Sequence, residues 1–378
     1  MVIISLKIMD PKIVPQSISE EDNVLRFTLS GVNVSIANAL RRIILSEIDC
    51  VCFKTYNESV NTCTIHQNTS MFNNEIIKQR LGCIPIHIDD MEMPLENYML
   101  EVSVENMTDT IQYVTTEDFK IKNITTNKYL TENDRQKVFP PSDVTGYYID
   151  FLRLKPKISD QIPGEIINLE CKFSIGNAKE NGMFNVVSCC SYGNTPDDVQ
   201  QELQLNKLRK YWKDQGMNRN DILFEEKDWK LLDGLRISRQ NNFDFQVESV
   251  GVFSNQEIVK KGCDCIIKKL NLIDTLIKNE KLVVTPSKST MDNCYDITLD
   301  NDDYTIGKIL ELALNSRFYT GDDAKLSYIG YSKMHPHDDY ATIRVAYENP
   351  TDVLTIYGDL QVCIKELIVV YEKIKNMI

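Results

Sequence analysis

Eleven cysteines, four histidines and a run of aspartates are the residues of this 378-residue chain whose types could ligate a metal or attack a substrate. Their spacing argues against most such chemistry. Cys50-x-Cys52 and Cys263-x-Cys265 are too close together for the C-x-x-C knuckle of a structural zinc site. On a helix, residues two apart point about 200° away from each other, so Cys263 and Cys265 could not readily share an ion. His335-Pro336-His337 offers two imidazoles, but the proline between them and the acids after them read equally as a tight hairpin. Asp300–Asp303 resembles part of a calcium loop without its turn glycine and distal bidentate acid, which leaves a solvated turn. Gly307–Lys308 lacks the upstream glycine and following Ser/Thr of a phosphate loop, and no G-x-G-x-x-G, G-x-S-x-G or H-E-x-x-H occurs. Spacing alone leaves a Cys/His nucleophilic pair open, because such pairs assemble in space. Nothing positive supports one, so no catalytic, cofactor or metal site is expected. The rival reading, a stand-alone metal- or thiol-dependent hydrolase, would need ligands that the sequence does not bring together.

The elements that would position these residues are dominated by one stretch that occurs twice. In VLRFTLSGVNVSIANALRRIILSEI, Leu25, Phe27 and Leu29 alternate with Arg26, Thr28 and Ser30, the period-two signature of a half-buried strand. Ser35 can cap the helix that follows, where Ile36, Leu40, Ile43, Ile44 and Ile48 recur at helical spacing. The pattern returns 270 residues further on. Tyr295, Ile297 and Leu299 alternate with Asp296, Thr298 and Asp300. Thr305 stands in the place of Ser35, and Ile306, Leu310, Ala313 and Leu314 in those of Ile36, Leu40, Ile43 and Ile44. Two units in one register suggest two related halves able to pack as a pseudo-symmetric pair.

Two longer helices carry heptad-like seams. Val259, Cys263, Ile266, Leu270, Ile273 and Ile277 form the first; Val353, Tyr357, Leu360, Ile364, Leu367, Tyr371, Ile374 and Ile378 form the second. A terminal helix with so apolar a stripe must be docked. Cys263 fits its seam as a small apolar group.

Composition narrows the function classes. Hydrophobic content of 42% supports real cores, and the length suits two or three domains. A net charge of −13 and a pI near 4.9 argue against a protein that itself grips a nucleic-acid backbone. No run approaches the ~18–20 apolar residues of a membrane helix, and MVIISLKI is too short for a secretory core. An odd, scattered cysteine set fits a reducing compartment, so Asn57, Asn68, Asn106 and Asn123 read as chance matches to a glycosylation pattern.

Along the chain, Asn74–Leu81 could form a short helix. From about Asp89 to Tyr148, polar stretches alternate with short strand candidates, and Pro140–Pro141 punctuates the end. Residues 197–235 read as a charged, solvated surface helix followed by an acidic loop. Pro286 and its Ser/Lys neighbours mark a linker before the second repeat.

These residues carry a family resemblance. ANALRRIILSEI followed by NTSMFNNEIIKQRLGCIPI resembles the alpha-like subunits of multisubunit RNA polymerases: the bacterial alpha amino-terminal domain, the archaeal D subunit and the third-largest subunit of the eukaryotic enzyme. In that family a helix resembling Ala37–Ile48 is followed by an N-T-S segment, here Asn68–Ser70, and an R-L-G-x-I-P turn, here Arg80–Pro85. FLRLKP at 151–156, the block at 176–196 and VESVGVFSNQEIV at 247–259 resemble later family blocks. The second repeat is similar to the smaller partner, the archaeal L subunit and the eleventh eukaryotic subunit, through DYTIGKILELAL at 303–314, YIGYSKMHPHDDYATIRV at 328–345 and the terminal helix. One chain with both partners looks like the fused subunit of large cytoplasmic DNA viruses.

The resemblance implies an α+β fold with two alpha-like dimerisation units, forming an intramolecular pseudo-dimer, and an inserted small β-rich subdomain. The expected division is 1–88 with 149–280 as the first unit, 89–148 as the insertion, 281–292 as linker and 293–378 as the second unit. The implied function is a non-catalytic assembly platform of a DNA-directed RNA polymerase. Its partners would be the largest and second-largest subunits, with room for small zinc-binding subunits. DNA and RNA would be reached only through the complex, and neither a membrane nor a homo-oligomer is implied. The location would be intracellular and, for a viral source, the host cytoplasm and the virion.

The pseudo-dimer interface would comprise Ile36, Leu40, Ile43, Ile44, Ile266, Leu270, Ile306, Leu310, Leu314, Leu360, Ile364 and Leu367. Arg41, Arg42 and Arg80 would contact a large subunit, since arginine forks suit carboxylates and carbonyls. Because the repeat carries Glu311 and Leu312 in place of those two helix arginines, the first half would dock on the second-largest subunit and the second half lie nearer the largest. Replacing Arg41 and Arg42 together with alanine is then expected to leave the chain folded and abolish that docking. The sequence departs from the family where residues 84–170 contain no cysteine, so a metal-binding cluster known in some relatives should be absent. It departs again at Lys308 and Glu311, where Asn and a basic residue would be favoured, and residues 197–243 align with nothing. A homodimeric scaffold unrelated to transcription is the remaining alternative.

Overall fold

A computed structural model describes residues 9–159 and 161–378; the MVIISLKI reading lies outside them. The first elements are β1 (Lys12–Ile13), β2 (Ser19–Glu21), β3 (Val24–Ser30) and α1 (Val34–Ser46). Then come β4 (Cys50–Cys52), β5 (Cys63–Asn68), α2 (Asn74–Gly82), β6 (Tyr98–Glu105), β7 (Gln112–Thr115), β8 (Lys120–Asn123) and β9 (Lys128–Tyr129). They are followed by α3 (Glu132–Val138), β10 (Asp150–Leu154), β11 (Ile166–Lys172), β12 (Ser174–Gly176) and β13 (Val187–Pro196). Next are α4 (Asp198–Asp214), α5 (Arg219–Leu231), β14 (Ser238–Ser249) and α6 (Asn255–Lys278). The last are β15 (Val284–Pro286), β16 (Cys294–Asp300), α7 (Tyr304–Leu314), β17 (Leu326–Ser332), β18 (Tyr340–Tyr347) and α8 (Val353–Met377). The fold is α+β, and every recorded strand pairing is antiparallel. No helix among the described residues is long and apolar enough to cross a membrane.

The chain packs as two compact units. The first holds residues up to Ile43, Cys189–Glu248 and Val259–Ile378, and therefore contains both strand–helix repeats. Its first sheet runs β1-β3-β14-β13, with β2 also on β3. Leu25, Phe27 and Leu29 all face inward, and Phe27 stacks on Phe245 across the β3–β14 pair at 5.1 Å. Its second sheet runs β15-β16-β18-β17, and Ile297 and Leu299 face inward as the alternation requires.

The linker expected at 281–292 is partly a strand. β15 pairs with β16, and Pro286 is tolerated because a sheet edge does not need its missing amide. The expected acidic loop of 197–235 is also corrected: after α4 the chain turns through Gly216 into a second helix, α5.

The second unit holds Ile44–Ser188 and Ser249–Ile258. Its main sheet runs β5-β11-β6-β8-β9, beside the smaller pairs β10–β7 and β12–β4. Packing thus draws the insertion wider than the expected 89–148. Phe53, Ile77 and Leu81 from before that segment and Phe151 and Leu169 from after it share one core with Phe119 and Phe139. Phe119 meets both Phe139 and Phe151 edge to face, at 5.3 and 5.4 Å, a favoured aromatic arrangement.

Candidate subunit interface

In the first unit, the sequence seams become a buried helix layer. The side chains of Ile36, Leu40, Ile43, Ile266, Leu270, Ile306, Leu310, Leu314, Leu360, Ile364 and Leu367 are all buried, as is Ile44 at the edge of the second unit. Burying each such side chain contributes about 1.5–3 kcal/mol. Asp264 of α6 meets Lys375 of α8 at 2.6 Å, and Asp274 meets Gln361 at 3.0 Å. Early residues of one helix therefore meet late residues of the other, which makes the two long helices antiparallel.

Two polar contacts join the first repeat to the second half. The fully buried Tyr371 donates its hydroxyl to the Ile36 carbonyl at 3.2 Å, and burial pushes its phenol well above the usual range. Arg42 donates through Nε to Thr305 Oγ1 at 2.8 Å and through Nη2 to Asp303 at 2.7 Å. Asp303 has a second task. Its other carboxylate oxygen accepts the Thr305 amide at 2.7 Å, making it the N-cap of α7. Asn33 likewise accepts the Ser35 amide at the start of α1, at 2.9 Å. The capping role expected of Ser35 therefore falls two residues earlier, as it does in the second repeat. Asn33 and Asp303 keep the same 270-residue spacing.

Burial alone would raise the Asp303 carboxyl, but hydrogen bonds from Thr305 and the charge of Arg42 outweigh it and hold the group below its ordinary range. A carboxyl more acidic when folded adds stability that is complete above about pH 4 and is lost as the pH falls through the folded value. Asp303→Asn keeps a good cap and removes the charge. It is expected to lower the melting temperature at pH 7 by the equivalent of about 1 kcal/mol, discounted because the pair is part exposed. The deficit should shrink as the pH falls below about 4 and through the folded value. A deficit independent of pH would show that the charge does not act there.

The three arginines are placed differently. Arg41 lies half exposed and, among the described residues, bonds only within its own helix, to Asn38 Oδ1 at 3.1 and 3.0 Å. Arg42 is engaged inside the chain, as above. In the second unit Arg80 donates to the carbonyls of Phe151 and Asp150 at 2.5 and 2.9 Å and lies over the Phe72 ring. The glycine after it has a packing reason: a Cβ on Gly82 would stand 2.6 Å from Met183 Sδ and 2.9 Å from Thr55 Oγ1.

The chemistry-bearing residues are placed structurally. His335 and His337 form the expected tight turn, in which the His337 amide donates to His335 Nδ1 and the His335 amide to Asp338. Asp302 accepts the Asp303 amide at 2.7 Å. Burial raises the thiols of Cys50 and Cys52 to about 11 and about 12, away from nucleophilic thiolate. Cys63 lies directly opposite Cys171 on β5 and β11; the closeness of the two thiols lowers Cys63 and raises Cys171, both buried in the sheet. Among the described residues, no three His, Cys, Asp or Glu side chains gather as a metal would require.

Sequence reasoning missed two residues that position α7. Glu311 pairs with Lys308 at 2.5 Å and accepts the Tyr331 amide at 3.3 Å, which accounts for the acid at that family position. Gly307 faces the Tyr331 ring, where a Cβ would come within 1.9 Å of Cε2. The signal available was the glycine itself, unexpected inside an apolar helix.

The description "RNA polymerase Rpb3/Rpb11 dimerisation domain" matches residues 26–270, more than half of the chain. The chain is 25% identical to the subunit rpac1 of DNA-directed RNA polymerases I and III of Dictyostelium discoideum, covering 69% of this chain and 80% of that one. It is 25% identical to the RNA polymerase II subunit RPB3 of Schizosaccharomyces pombe, over 66% and 82%. It is 34% identical to the archaeal subunit Rpo3 of Pyrococcus furiosus, over 24% of this chain and 34% of that one.

Proposed function

Since the chain belongs to the RNA polymerase Rpb3/Rpb11 dimerisation domain family, we propose that it is a non-catalytic assembly subunit of a DNA-directed RNA polymerase. In this reading residues 293–378 are the smaller partner, fused behind the larger one. The two repeats then form inside one chain the dimer that relatives build from two. The observation that best supports it is the buried helix layer shared by the two repeats, locked by Tyr371 on Ile36 and Arg42 on Asp303. A tether makes the association independent of concentration and fixes its stoichiometry.

Among the described residues, the helix layer leaves one arginine of α1 without a hydrogen-bond partner beyond its own helix, and that supports Arg41 as the principal contact to a large subunit. Arg42 keeps an edge of exposed surface, but its fork already serves the second half. Arg80 is exposed and can add to a partner contact only through what its two carbonyls leave over. We place the first half on the second-largest subunit and the second half nearer the largest. For a viral source the complex would act in the host cytoplasm and enter the virion. Light scattering of the pure chain tests the fusion reading. A mass of 43.5 kDa is expected, and twice that value would favour a homodimeric scaffold instead.

A further inference from the structure

The insertion between β13 and β14 is a helical hairpin of α4 and α5. Asp197 caps α4, and Gln201 ties the base by donating to the Ile237 carbonyl at 3.1 Å. Leu205 is buried, Leu208 and Trp212 half buried, and Ile222 and Trp229 of α5 likewise. Gly234 lies flat against the Trp229 ring, 3.1 Å from where its Cβ would be. Arg209 bridges Glu202 at 2.7 Å and also binds Glu226, which Lys230 approaches at 3.0 Å. These pairs hold the two helices together and use up Glu202 and Glu226.

Among the described residues, the opposite face of α4 has no such partners. Val199 and Leu203, one turn apart, are 64% and 52% exposed, and Tyr211 is 58% exposed. Lys207 and Lys210 continue the same stripe and Lys213 borders it. All three are exposed, and none has an ion-pair partner among the described residues. A stripe that starts apolar and ends cationic stands out on a chain of net charge −13.

We infer that this face of α4 is a docking site for an acidic polypeptide segment whose apolar side chains lie on Val199 and Leu203 and whose carboxylates meet Lys207, Lys210 and Lys213. Charge complementarity selects the occupant: lysines of reversed sign on an acidic protein favour an acidic partner. The apolar half selects polypeptide over nucleic acid, since Val199 and Leu203 offer nothing to phosphate. Helix-in-groove recognition uses such turn-spaced anchors. The inference does not rest on the assembly reading, because the purified chain alone suffices to test it.

Trp212 and Trp229 are the only tryptophans of the chain, so its intrinsic tryptophan emission reports solely on this hairpin. The probe is a synthetic helical peptide with two leucines one turn apart followed by three glutamates on the same face. Saturable change of the emission is expected, weakened roughly tenfold or more by Lys207→Glu/Lys210→Glu/Lys213→Glu and by 0.5 M salt. A peptide with lysines in place of the glutamates should recover binding to the triple variant, which also controls for its folding. A peptide of the same composition with its leucines and glutamates scattered around the helix should bind far more weakly. Equal binding of both peptides, an unaffected triple variant, or no emission change would overturn the inference. Tighter binding of oligo(dT) than of the peptide would overturn it in favour of nucleic acid.

Discussion

Gly307→Ala is expected to destabilise the chain by roughly 1–3 kcal/mol, the range for overpacked cores. The sign is opposite to the usual effect, since alanine is about 1 kcal/mol better than glycine inside a helix. What reverses it is the Tyr331 ring, whose Cε2, Cδ2 and Cζ would stand 1.9, 2.4 and 2.6 Å from the new Cβ. Tyr331 cannot swing away cheaply. It is 9% exposed, packs edge-on to Tyr304 at 5.0 Å, and its strand amide is held by Glu311. For a chain of this size the change should lower the melting temperature by several degrees. Tyr331→Ala in the same chain should relieve part of the loss, and the double-mutant cycle should give a favourable coupling. A neutral or stabilising Gly307→Ala would show that α7 does not approach β17 so closely.

The second large effect concerns assembly rather than stability. Arg41→Glu is expected to weaken binding of the second-largest polymerase subunit by about 2–4 kcal/mol, the scale of an interface hot spot. That is roughly 30- to 1,000-fold in affinity. The melting temperature should hardly move, because among the described residues Arg41 bonds only to Asn38 on its own helix. Arg42→Ala is expected to do the reverse: it breaks the pair with Asp303 and the bond to Thr305, and lowers stability more than binding. A double alanine variant would mix these effects, so the single variants are the sharper experiment. Titration of the purified second-largest subunit onto the immobilised chain measures both. If Arg41→Glu binds like the unaltered chain, the first helix is not the docking face.

The strand–helix repeats and both long seams were legible because their periods, two and 3.6, are local properties of the sequence, except that Val353 is exposed and Ile356 takes the buried place in the first turn of α8. Leu25, Phe27 and Leu29, and Val259 through Ile277, read directly as inward faces. Caps were less legible: Ser35 and Thr305 have the right chemistry, but Asn33 and Asp303 compete for the same role two residues earlier. α5 was hidden because Leu223, Phe224 and Leu231 lie exposed, and a helix without a buried stripe has little periodic signal. The width of the insertion could not be read locally, since Phe53, Phe119 and Phe151 share a core across a wide span of sequence. Arg42 shows the same limit. Its type and exposure suggested a partner subunit, while Asp303 waits 261 residues away in the same chain.

The central claim is that this chain is a polymerase assembly subunit carrying both halves of the dimer. The most direct measurement is native mass spectrometry of the complex recovered on the affinity-tagged chain, with the components identified by peptide sequencing. One copy of the chain with one copy each of the largest and second-largest polymerase subunits, and no separate small dimerisation partner, is the predicted result. A complex that contains a separate small partner, or a chain recovered alone or as a homodimer, would contradict it.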